Sequence, residues 1–238
     1  MKLLLVSDMH YRLRQYDWVY DAAPDVDVVV IAGDLLDIRS AVPLPAQVAA
    51  VSAQIGRIGG RTVLLAASGN HDLDERDAAN EKFAGWLRRM RSPGLHVDGE
   101  SVLIGTTLFS ICGWWDGPNG RRELAERLAA DAARDKERWV WVYHSPPSGS
   151  PLSWDGRREF GDQELAEWIP RFRPDLVLTG HIHQAPFVDG GGWSDRIGDT
   201  WIFNAGQQPG PMPTRILIDL DEGHATWLSA SDREMVTF

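Results

Sequence analysis

Cysteine is almost absent from this chain of 238 residues, Cys112 being the only one. No intramolecular disulfide framework can form, which fits a reducing compartment. Cys112 ends the apolar run Thr106–Cys112 and reads as a small buried hydrophobe rather than a nucleophile. Long hydrophobic runs are missing as well. The apolar N-terminal stretch gives way at once to Asp8 and His10, so it is too short for the core of an export signal. No segment approaches the roughly 20 apolar residues of a membrane helix. Positive charge is in deficit, with 24 Lys and Arg against 34 Asp and Glu and a formal net charge of −10. That balance argues against a long nucleic acid as an obligatory partner, because such proteins present a basic face. A small phosphate ester is not excluded, since bound cations reverse the local field of a cleft. The expectation is a cytoplasmic protein with no membrane segment.

Internal repeats, coiled-coil heptads and low-complexity tails are also lacking. What is present is an ample supply of core residues, 43% hydrophobic, in a chain without a composition break. One domain over residues 1–238 is expected. In the first half, Lys2–Ser7, Val26–Ala32 and Arg61–Ala67 are continuous apolar strands, the pattern of strands covered on both faces. Tyr16–Ala23, Pro45–Ile58 and Asp77–Met90 read as intervening helices, the last from Phe83, Trp86, Leu87 and Met90 at helical spacing. Such βα alternation implies parallel strands with right-handed crossovers, and ligands bind beyond the carboxyl ends of such strands. The second half is richer in strands: Ser101–Ile104, Thr106–Cys112, Arg138–Tyr143, Leu176–Thr179, Thr200–Phe203, Arg215–Leu220 and Ala225–Leu228. Arg121–Ala133 and Asp162–Ile169 are its helices, the second closed by Pro170. This texture suggests a second sheet packed on the first.

The chain has seven histidines, and five of them follow strand ends, four in company with Asp, Asn or Gly. Asp8-Met9-His10 places a carboxylate and an imidazole on one side of an extended backbone, although an Asp helix cap beside a surface His would read the same way. Gly33-Asp34 offers a carboxylate whose two oxygens can bridge two cations about 3.5–4 Å apart. Asp37, one turn on, is placed to orient a histidine or to lie in a loop as an exposed acid. Gly69-Asn70-His71-Asp72 supplies a neutral carbonyl oxygen and an imidazole that titrates near neutral pH, a suitable general acid; an Asx turn is its plain alternative. His144 precedes two stiffening prolines, and in Gly180-His181-Ile182-His183 two imidazoles project alike. The 11 tryptophans are a separate oddity. Trp114, Trp115, Trp154 and Trp193 fall in Gly/Pro-rich loops, where they either wall a pocket or cover the sheet ends. His96 and His224 read as surface residues.

In this order and at these spacings the five clusters resemble the calcineurin-like metallophosphoesterase superfamily, over essentially the whole chain. The resemblance implies an α/β fold, a four-layer α/β/β/α sandwich of two facing mixed β-sheets flanked by helices, with a dinuclear metal site at the strand carboxyl ends. It implies Asp8, His10, Asp34 and His183 as ligands of one metal ion, and Asp34, Asn70, His144 and His181 as ligands of the second. His71 matches the family's catalytic histidine and Asp37 the acid that orients it. The implied reaction is attack on phosphorus by a metal-bridging hydroxide, with His71 protonating the departing alkoxide. Mn²⁺ is the first choice of metal, with Fe, Zn²⁺, Ni²⁺ or Co²⁺ compatible with the mixed N/O donors. The protein Ser/Thr phosphatases of the superfamily read Gly-Asp-x-x-Asp-Arg-Gly. Here Ile38-Arg39-Ser40 follows Asp37, so the chain looks more like the compact bacterial phosphodiesterases, acting on a small diester. A phosphomonoesterase or nucleotide pyrophosphatase is the alternative within enzymes, and a non-catalytic scaffold on the same fold is the alternative outside them.

Overall fold

The computed structural model describes residues 1–238. Its first half runs β1 (Lys2–Val6), α1 (Leu13–Ala22), β2 (Val28–Ala32), α2 (Leu44–Gly59) and β3 (Val63–Ala67). A small hairpin of β4 (Glu75–Arg76) and β5 (Lys82–Phe83), the single turn α3 (Gly85–Arg88) and β6 (Leu95–Val97) complete it. The strands β1, β2, β3 and β6 pair in parallel, as the βα alternation predicts. Next come β7 (Ser101–Ile104), β8 (Thr107–Cys112), α4 (Pro118–Ala132), β9 (Arg138–Tyr143), α5 (Gln163–Phe172) and β10 (Leu176–Thr179). With β11 (Ser194–Ile197) and β12 (Thr200–Asn204) these strands build a second sheet, in the order β11-β12-β10-β9-β8-β7. The chain then returns to the first sheet. There β13 (Arg215–Asp219), β14 (His224–Leu228) and β15 (Arg233–Thr237) extend it beyond β1 as an antiparallel meander.

The two large mixed sheets face one another and helices cover their outer faces. Side-chain alternation along the strands sorts the layers. Leu3, Leu5, Val28 and Val30 point between the sheets, where they meet Phe109, Val140, Leu178 and Phe203. Leu4, Val6, Val29 and Ile31 point outward onto Val51, Ile55 and Ile58 of α2 and Val19 of α1. On the far side, Leu108, Trp139 and Trp141 pack beneath Leu124 and Leu128 of α4 and Leu165 and Trp168 of α5. A strand such as β2, apolar at every position, finds cover for both of its faces in this arrangement.

Three sequence expectations are corrected. Asp77–Met90 is not a helix, because Asp77 turns the chain instead: its Oδ1 accepts from Ala79 N and Glu81 N, both at 2.9 Å, and competes with helical hydrogen bonding. The turn has a consequence for packing. Glu81 reaches Asn119 N and Gly120 N at 2.9 and 2.8 Å and so caps the start of α4, as an anion at a helix N-terminus should. Second, α5 passes through Pro170 to Phe172, since a proline this close to the helix end removes only one ladder bond, and Arg173 N still reaches Ile169 O at 2.8 Å. Third, His96 and His224 are partly buried on β6 and β14 rather than loose on the surface. No helix is long and apolar enough to cross a membrane.

Candidate metal centre

Five parallel strands, three from one sheet and two from the other, end around one point. Asp8 and His10 follow β1, Asp34 follows β2, Asn70 and His71 follow β3, His144 follows β9, and His181 and His183 follow β10. The structure brings all of these side chains together. Donor atoms of Asp8, His10, Asp34 and His183 lie within 4.8 Å of one another, and so do those of Asp34, His144 and His181. Asp34 is common to both groups. Its Oδ2 stands 3.5 Å from His10 Nε2 and 3.3 Å from His144 Nε2, while Asp8 Oδ1 stands 3.2 Å from His183 Nε2. His71 and Asp37 form a third group with His10.

The backbone works to aim these groups. Asp8, His10, Asp34 and His181 have φ of 53°, 42°, 52° and 69°, the left-handed region that L side chains seldom adopt. Each such residue costs about 1 kcal/mol or more, which surrounding contacts have to overcome. Those contacts are identifiable. Asp8 N and His10 N donate to Gly33 O and Asp34 O, and His181 N donates to the Asp8 carboxylate at 3.0 Å, tying the two sheets together. Gly33 is equally constrained. With φ of 90° it lies so close to His144 that a Cβ would come within 2.2 Å of Nδ1. Gly33→Ala is expected to destabilise the fold by at least about 2 kcal/mol through strain and overpacking. A melting temperature equal to that of the parent would show that His144 can move aside.

Burial and charge set the protonation of the cluster. Desolvation pushes His10 and His181 down to about 4, leaving neutral imidazoles, the form that binds metal ions. Burial also opposes a charge on His144, but the Asp34 carboxylate outweighs it and raises the ring to about 9. Burial likewise opposes charge on Asp34 and Asp8, yet His144 and His183 prevail and hold both below the usual carboxylate range. His144 Nδ1 meets Ala32 O at 2.7 Å, which directs Nε2 at the cluster. Asn70 Oδ1 is buried without any hydrogen-bond partner, and buried His144 Nε2 has only the Asp34 carboxylate at 3.3 Å. Orphaned polar atoms of this kind are costly in a protein interior. Their positions beside two carboxylates and neutral imidazoles fit a site for cations.

Several supporting residues escape a reading of the sequence. Asp72, inside the Gly-Asn-His-Asp stretch, is fully buried and accepts from Leu35 N, Leu36 N and Gly69 N at 3.2, 2.8 and 2.8 Å. It clamps the Asp34 loop to the Asn70 loop. Burial and the nearby Asp34 charge raise it to about 8, against the pull of those three donors. Asp98 similarly grips Ser68 N and Oγ, and Ser68 Oγ accepts from Trp114 N at 3.0 Å. Buried Gln47 on α2 bonds both Asp37 N and Asp37 O and so holds the Asp37 loop. A lone Asp or Gln has no local signature of such long-range bonds, and of these three only Asp72 adjoins a motif. Cys112 is buried and its thiol is pushed up to about 12 by desolvation, so it is inert.

Two cavities adjoin the cluster. A cleft of about 550 Å³ is lined by His10, Asn70, His71 and His183, with Arg12 and Arg39 at its side. A second cavity of about 530 Å³ lies against His144 and His181, walled by Trp114, Trp115 and Tyr143. The two share His181 and Phe160. Of the four loop tryptophans, Trp114 and Trp115 therefore wall a pocket. Trp193 is buried and stacked on Phe203, and Trp154 lines neither space, its Nε1 donating to Asp189 O.

Solved proteins share this architecture. TT1561 of Thermus thermophilus is 17% identical, with a TM-score of 0.62, covering 99% of this chain and 98% of that one. Purple acid phosphatase PPD1 from yellow lupin (Lupinus luteus) seeds is 14% identical, with a TM-score of 0.60, covering 100% of this chain but 53% of its own length. At such identities the likeness is one of fold. No curated protein sequence matches the chain. The sequence profile of the calcineurin-like phosphoesterases matches residues 1–185, which takes in the five strand-end clusters around Asp34. The chain belongs to the calcineurin-like phosphoesterase family, which supports a metal-dependent phosphoester hydrolase.

Proposed function

We propose that the protein hydrolyses phosphodiesters of small molecules at a two-metal centre. Asp8, His10, Asp34 and His183 would hold one ion, and Asp34, Asn70, His144 and His181 the other, with Mn²⁺ the preferred metal. The ions, when bound, acidify the water that attacks phosphorus and neutralise charge on the phosphoryl oxygens. The remaining work belongs to the chain. His71 N donates to Asp34 Oδ1 at 2.9 Å, which fixes the loop that carries the imidazole over the cleft. The ring's Nδ1 faces Asp37 Oδ1 at 3.8 Å and Ile38 N at 3.3 Å. Nε2 makes no hydrogen bond within the protein and is the atom that protonates the leaving oxygen. Arg12 and Arg39 line the same cleft and would complement the charge of the phosphoryl group.

The observation that carries the diester reading is the pair of cavities meeting at His181 and Phe160. A phosphorus atom held between them has room for an organic arm on either side, whereas a monoester has one arm. Hydrolysis of bis(4-nitrophenyl) phosphate by protein loaded with Mn²⁺ tests this. Turnover should exceed that on 4-nitrophenyl phosphate, and chelation should abolish it while lowering the melting temperature, since ions bound only to the folded state stabilise it. Higher turnover on the monoester would reverse the preference. No metal-dependent turnover on either would leave the non-catalytic scaffold.

A further inference from the structure

The cavity beside His144 and His181 differs chemically from the cleft that holds His71. Its walls are aromatic, with Trp114, Trp115, Tyr143 and Phe160, and its polar lining includes Asp116, Asp162 and Glu164. No Lys or Arg lines it. Glu164 pairs with Arg121 and Asp162 caps the start of α5 by accepting from Leu165 N, whereas Asp116, exposed at the rim, has no cationic partner. The rings are held in place: Trp115 Nε1 donates to Tyr143 Oη at 2.8 Å, and Tyr143 Oη donates to Asp162 Oδ2 at 2.6 Å. Further phosphate groups would meet like charge here, and a purely apolar group would leave Asp116 without a counter-charge. An organic ammonium satisfies both features, since it is attracted to aromatic faces and to carboxylates. Rings already fixed in position lose little entropy on binding it.

We infer that this cavity binds an ammonium group on the ester arm that stays on phosphorus, making phosphodiesters of amino alcohols the preferred substrate class. The inference rests on the phosphodiesterase reading above and names the substrate of that same site. His71 lines the cleft and not this cavity, so the arm it protonates is the other one. Water adds its oxygen to phosphorus, and the P–O bond to the arm in the cleft breaks with its electron pair on that oxygen. His71 supplies the proton, the proton released by water restores His71, and the amino-alcohol phosphomonoester departs from the cavity.

The test compares 4-nitrophenyl phosphocholine with 4-nitrophenyl 3,3-dimethylbutyl phosphate, which share a leaving group and shape and differ in the cationic charge. The parent protein should favour the choline ester roughly tenfold in kcat/KM, a preference that collapses toward unity in Asp116→Asn and in Trp115→Ala. Equal kcat/KM on the two esters in the parent protein overturns the inference. Should no diester be hydrolysed, bis(4-nitrophenyl) phosphate included, the phosphodiesterase reading fails by itself. Saturation-transfer NMR on metal-free protein then decides the cavity alone. Transfer to the N-methyl protons of choline, and none to 3,3-dimethylbutanol, sustains the ammonium site; equal transfer, or none to choline, overturns it.

Discussion

His71→Ala is expected to keep both metal ions and lose turnover by about 10²–10⁴-fold on an alkyl diester, the range typical of a positioned general acid. The reason is local. The side chain is not part of either donor group that contains Asp34, and its ring stands edge-on to His10 with centroids 4.5 Å apart. Removing the ring takes away the proton that a poor leaving group needs without taking a donor from either cluster. The loss should shrink on a 4-nitrophenyl ester, because 4-nitrophenolate departs without protonation. A loss of equal size on both substrates, with metal content intact, would assign His71 to binding rather than to proton donation. Asp37→Asn should give a weaker form of the same pattern, since Asp37 Oδ1 lies 3.8 Å from the ring's Nδ1, where it helps to orient the imidazole, and belongs to neither donor group around Asp34.

Asp34→Asn has a larger expected effect, the loss of both ions and of all metal-dependent turnover. Asp34 is the one residue common to the two donor groups, and its Oδ2 faces both His10 and His144. An amide presents one neutral oxygen and a donor NH₂ where a carboxylate presents two acceptors, so it cannot face both groups as the carboxylate does. The NH₂ would also face either the His71 amide, which now donates to Oδ1 at 2.9 Å, or the imidazole pair. Elemental analysis of the purified variant reads the outcome directly. Retention of one full equivalent would show that the two sites are filled independently and that Asp34 does not bridge them. His144→Ala is the useful contrast, since it removes a donor from one group alone.

The sequence is most informative where one residue type has one possible environment. Strands such as Val28–Ala32 are apolar at every position, and that pattern specifies burial on both faces whatever lies nearby. The helix expected over Asp77–Met90 fails for the opposite reason. Phe83, Trp86 and Leu87 do carry helical spacing, but the Asp77 side chain offers the backbone a turn, and the Glu81 carboxylate serves the start of α4. Periodicity records which residues seek the core and says nothing of a distant helix end. The short strands β6, β11 and β15 are illegible in the sequence because none carries a continuous apolar run: Leu95–Val97 is three residues long, and Ser194–Ile197 and Arg233–Thr237 are largely polar.

The candidate site divides in the same way. Asp8, His10, Asp34, Asn70, His71, His144, His181 and His183 are legible as a set because each sits at a fixed offset from an apolar run, and parallel strands bring such positions together at their carboxyl ends. Their offsets from apolar runs already point to one shared centre and to the chemistry such donors share. Packing across the two sheets adds what no motif shows, namely that Asp72, Asp98 and Gln47 hold the loops in place and that an aromatic, acidic cavity lies beside the His71 cleft. Those features depend on side chains far apart in the chain meeting across two sheets. Their distances are set by packing, and no local pattern encodes them.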